Sequence, residues 1–90
     1  MGKAEISWRG LDAQGERRQV YARHAGSRWL FFERAGRFER WTPVAEPPLA
    51  DWLALLDAVE RRVDRRLLRP EEPTHIRRAI RERFPETSIE

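Results

Sequence analysis

Arg17, Gln19, Tyr21 and Arg23 stand two positions apart along one stretch of the chain, and Leu30, Phe32 and Arg34 do the same along the next. A period of two puts each set on one side of an extended strand. A guanidinium presents a planar fork of donors to phosphate or carboxylate, and an aromatic ring presents a face for a base or another ring. Ser7 and Arg9 before this stretch, and Phe38 and Arg40 after it, extend the pattern if their segments are also strands. The candidate contact face is therefore Arg9, Tyr21, Arg23, Leu30, Phe32, Phe38 and Arg40. Glu5 is the one acid expected beside them.

Such a face suits two kinds of partner. Tyr, Phe and Arg are enriched where proteins meet, so a protein partner or a second copy of the chain is the first expectation. Stacked rings with interleaved cations also describe single-stranded nucleic-acid binders, which is the alternative. A third reading needs no partner, because Arg stems can lie over aromatic rings and screen them from water.

Catalytic chemistry is thinly represented. There is no Cys, which removes disulfides and thiolate metal sites. His24 and His75 have no second ligand at metal-binding spacing. The hydroxyls of Ser7, Ser27, Thr42, Thr74, Thr87 and Ser88 lie in no nucleophile-elbow setting, and no Gly-rich loop opens a helix. The sequence predicts a non-enzymatic chain with no cofactor, no metal and no small-molecule substrate. It contains no apolar run that could span a membrane or serve as a leader, so a cytoplasmic location is expected.

The class follows from size and charge. Ninety residues fit one small domain, and nine aromatics (four Trp, four Phe, one Tyr) carry enough apolar area for a core. Charged residues reach 37%, well above the usual share, so the surface is dense in ions. The net charge of +3 is unevenly spread. Residues 1–42 hold nine basic and five acidic groups, a balance of +4; residues 43–69 balance at five each; residues 70–90 hold four and five. The excess cation is N-terminal, where the candidate face lies.

Four strands are expected near residues 4–11, 17–25, 28–34 and 37–42, separated by the turns Ala13-Gln14-Gly15, Gly26-Ser27 and Arg34-Ala35-Gly36. Turns this short give an antiparallel meander. They also set the register, pairing Asp12 with Glu16, Ala25 with Arg28, and Glu33 with Arg37. One sheet face then gathers Ile6, Trp8, Val20, Ala22, Trp29, Phe31 and Trp41 as core, and the other gathers the Arg and aromatic set. After the Pro43–Pro48 stretch, Leu49, Trp52, Leu53, Leu56, Val59, Val63 and Leu67 fall at helical spacing, predicting a helix from about Pro48 to Arg69. Pro70 ends it. A second helix is expected from about Glu71 to Phe84, with Ile76, Ala79, Ile80 and Phe84 as its apolar face. The expected fold is an α+β domain over residues 1–85, a four-stranded meander followed by two helices packed on one sheet face (ββββαα), with a frayed tail at 86–90. No motif assigns it to a family.

Overall fold

The structure is a computed structural model that describes residues 5–12, 14–26 and 28–87. The expected strand start at Ala4, the turn residues Ala13 and Ser27, and the tail residues 88–90 lie outside the described residues. The element order is β1 (Glu5–Leu11), β2 (Arg17–Ala25), β3 (Arg28–Arg34), β4 (Thr42–Val44), α1 (Leu49–Asp64) and α2 (Glu71–Arg83). This is the α+β order ββββαα, with one antiparallel sheet in which neighbours in sequence are neighbours in space. The chain divides into two compact units at the Pro47–Pro48 boundary.

In the sheet unit, two turns fix two registers as expected. The Asp12 N–H donates to the Glu16 carbonyl at 2.8 Å, and Asp12 Oδ1 accepts from the Gln14 and Glu16 amides at 2.9 Å each. Gly15, at φ 80°, closes the loop in a conformation that costs glycine little. Ile6 thus faces Ala22, and Trp8 faces Val20. Gly26 has φ 64°, the sign that a two-residue hairpin loop demands at its first position, and Ala25 pairs with Arg28. The shared face carries the buried residues Ile6, Val20, Ala22 and Phe31, with the Trp8 ring edge-on to Phe31 at 6.1 Å. His24 and Trp29, cross-strand partners on this face, stack at 4.6 Å.

The third hairpin corrects the sequence reading. Gly36 does not adopt a positive φ, so it cannot end a three-residue hairpin loop as expected. The chain instead makes a turn closed by the Glu39 N–H on the Gly36 carbonyl at 3.0 Å. Pairing resumes only at Thr42, which faces Glu33 in place of Arg37 and donates its hydroxyl to the Glu33 carbonyl at 3.2 Å. Residues 37–41 are therefore outside the ladder, and Phe38 and Arg40 are not strand residues. The displacement is odd, so it exchanges faces. Trp41 leaves the expected core set and joins the Arg and aromatic side. Pro43 keeps β4 short, and it is tolerated there because β4 is an edge strand.

In the helical unit, α1 buries Asp51, Trp52, Leu55, Leu56, Ala58 and Val59. This arc is broader than the expected stripe: Leu55 and Ala58 are added, while Leu53 and Leu67 are exposed. The helix also stops earlier than expected. Arg66 takes φ 60°, its N–H donates to the Val63 carbonyl at 2.9 Å, and the Leu67 N–H reaches back to Arg62 at 2.8 Å. That pair of bonds is a Schellman ending, here built on Arg in place of Gly. The second helix follows expectation, with Glu71 and Glu72 in its first turn and Pro85 beyond its last. Pro73, Ile76 and Ile80 are its buried residues. An Arg77–Glu60 ion pair ties α2 to α1, and the Arg83 guanidinium lies 5.0 Å from the Trp52 ring centroid. Among the described residues, no helix is long and apolar enough to cross a membrane.

Candidate interaction face

The odd-numbered residues of β2 and the even-numbered residues of β3 point to the side of the sheet opposite Ile6 and Phe31. Tyr21 and Phe32 are direct cross-strand partners there, and their rings stack at 4.8 Å with 16° between planes. Trp41, brought round by the longer loop, meets Tyr21 edge-on at 4.7 Å. The three rings form one cluster, and all three are half-buried.

Cations sit on the cluster. The Arg34 guanidinium lies over the Trp41 ring at 4.3 Å, and its Nε–H donates to Gln19 Oε1 at 2.7 Å. Arg23 lies 5.6 Å from the Phe32 centroid, within reach of a cation–π contact. Arg23 also pairs across the ladder with half-buried Leu30. Arg9, opposite Gln19 on the edge strand β1, is exposed. Among the described residues, none of Arg9, Arg17, Arg23, Arg34, Arg37 and Arg40 forms an ion pair.

Five of the expected face residues, Arg9, Tyr21, Arg23, Leu30 and Phe32, therefore share one side of the sheet. Phe38 and Arg40 do not stand in the ladder beside them. Phe38 is 93% exposed in the turn and touches the Arg37 guanidinium at 5.3 Å. Trp41 was missed, because its place depends on a loop length that no residue in the loop signals.

The contrast with the other side of the sheet is instructive. Arg18 is buried there and makes two bonds to Glu33 Oε1, from Nε at 2.8 Å and Nη2 at 2.5 Å. The fold supplies an acid to the arginine it buries, whereas those on the aromatic face form no ion pair among the described residues. Among the described residues, no group of three or more His, Cys, Asp or Glu side chains could hold a metal ion. No protein-family model, no curated protein and no solved structure matches the chain.

Proposed function

We propose that the chain is a non-enzymatic interaction module whose partner docks on the sheet face centred on Tyr21, Phe32 and Trp41. The reading best supported is single-stranded nucleic acid. The observation that carries it is the pairing of a three-ring cluster with a set of guanidiniums that have no acid partner among the described residues. Rings accept bases and unpaired guanidiniums accept phosphates, and the two are interleaved as a single strand requires.

A protein partner, including a second copy, is the other reading. It led at the level of sequence because Tyr, Phe and Arg are enriched where proteins meet, because the charge excess is small, and because Leu30, Phe32 and Phe38 made one apolar patch. With Phe38 displaced and Trp41 brought in, that patch is crossed by the Arg23 and Arg34 guanidiniums. Two copies joined through this face would also set Arg9, Arg23 and Arg34 against each other, which disfavours association. What favours the protein reading is the exposure of Phe38 and of Leu11, 93% and 66%, on the same unit.

Titration of a short oligothymidylate against salt separates the two. Four phosphate contacts give a log–log slope of about −3, since each contributes roughly 0.7 for single strands. Tyr21→Ala or Phe32→Ala then weakens binding by about 1–3 kcal/mol. A dimer that persists at high salt, with oligonucleotide binding no stronger than its net charge explains, would establish the protein reading instead. In that case Phe32→Arg yields a folded monomer.

A further inference from the structure

At one end of the aromatic face the sheet and the β3–β4 loop border a half-open cleft of about 510 Å³, whose lining includes Ser7, Arg9, Gln19, Arg34, Arg37 and Trp41. The volume lies within the range of small-ligand sites. Three guanidiniums border this one space, and none of the three forms an ion pair among the described residues. Like charges gathered round one cavity repel, and an anion between them removes the repulsion.

The neutral groups are suited to the same guest. Gln19 spends its Oε1 on Arg34, which leaves its amide NH2 to donate. Ser7 adds a hydroxyl. Trp41 forms an apolar wall, held by Arg34 over its ring and by Tyr21 at its edge. The cleft thus offers donors, positive charge and one aromatic surface. That combination fits a phosphate joined to a flat ring system.

Charge count narrows the class. A phosphodiester carries a single negative charge, whereas a phosphate monoester carries roughly −1.5 to −2 at pH 7. Three guanidiniums match the monoester better. We propose that this cleft is a subsite for a phosphate monoester borne next to an aromatic base. Two molecules present that chemistry: a free nucleoside monophosphate and the phosphorylated end of a single strand. A second hollow of about 620 Å³ shares Arg9 and Gln19 with the first and adds Arg17, so a strand entering by its end has a cationic path onward. The strand-end source rests on the nucleic-acid reading of the face; the free-nucleotide source does not.

The test uses the full chain, labelled with ¹⁵N, titrated with adenosine 5′-monophosphate, with adenosine, and with a short oligothymidylate bearing either a 5′-phosphate or a 5′-hydroxyl. The monophosphate is expected to bind at least about tenfold tighter than the nucleoside, and the phosphorylated strand about tenfold tighter than its hydroxyl twin. Arg9→Gln and Arg37→Gln should each erase most of that preference, with unchanged thermal midpoints showing that the fold survives; Arg34→Gln should erase it too, at a lower midpoint because its bond to Gln19 and its contact with Trp41 are lost. Preference in the nucleotide pair alone assigns the cleft to free nucleotides, and preference in the strand pair alone assigns it to strand ends. Equal binding within both pairs overturns the cleft proposal, even where single strands still bind the face. Binding of the monophosphate with no binding of either strand overturns the nucleic-acid reading and leaves the cleft standing.

Discussion

The ring of Tyr21 lies on the ring of Phe32 at 4.8 Å, across the ladder in which the two residues are direct partners. Stacked cross-strand aromatics contribute about 0.5–1.5 kcal/mol beyond the area they bury. A double-mutant cycle with Tyr21→Ala and Phe32→Ala, followed by urea unfolding, should return a coupling energy in that range. Strict additivity of the two single losses would mean that the rings do not support each other in solution.

Relative to the pattern read from sequence, Trp41 joins the aromatic face and Phe38 leaves it for the exposed turn, which has a measurable consequence. If the aromatic cluster is the docking surface, Trp41→Ala should weaken oligonucleotide binding by about 1–3 kcal/mol. Phe38→Ala should have a much smaller effect, and its surface position predicts a stability change within about 0.5 kcal/mol. The reverse order of effects on binding would restore the shorter hairpin.

Arg66 holds the left-handed conformation at the end of α1, at φ 60°. An L-residue with a Cβ is disfavoured there by about 1–2 kcal/mol, and part of that gain is offset by the entropy of an unfolded glycine. Arg66→Gly should therefore raise stability by roughly 0.5–1 kcal/mol, read as a higher urea midpoint with an unchanged slope. Arg66→Val, which places a branched Cβ in the same conformation, should lower it.

The Arg18–Glu33 pair calls for a comparison of single and double changes. Glu33→Ala removes the carboxylate that takes two bonds from the buried guanidinium and should cost about 1–3 kcal/mol. Replacing both partners, as in Arg18→Met with Glu33→Leu, should recover most of the loss, because an apolar pair needs no desolvation repaid. A double variant as unstable as the single one would show that an apolar pair cannot replace the ionic one at this site.

How far the sequence could be read depended on where backbone geometry had a residue signal. The bounds of β2 and β3 were legible because Gly26 marks a turn that only a positive φ can make, and Gly15 marks the other. Alternation then assigned Tyr21, Phe32, Arg23 and Arg9 to one side. Gly36 resembles the same signal but is not used that way, and one miscounted loop moved Trp41 to the wrong face. The end of α1 was illegible for the opposite reason. Its left-handed residue is an arginine, so nothing in the chain announces a stop before Pro70. Leu55 was missed since a narrow stripe of period 3.6 had already been filled by Trp52, Leu56 and Val59. The cleft beside Trp41 could not be seen at all, because it exists only once the long loop folds back.

Arg34 is gripped at two points, its Nε by Gln19 and its guanidinium plane by Trp41. A free arginine side chain loses on the order of 2 kcal/mol of rotational freedom when it is pinned. Here that loss falls on folding, when the sheet assembles, and not on recognition. Whatever engages this guanidinium meets a fork of donors already oriented, so the association carries little ordering entropy on the protein's side. Gln19→Ala would move that entropy back into the binding step, making complex formation entropically costlier while leaving every charge on the face in place.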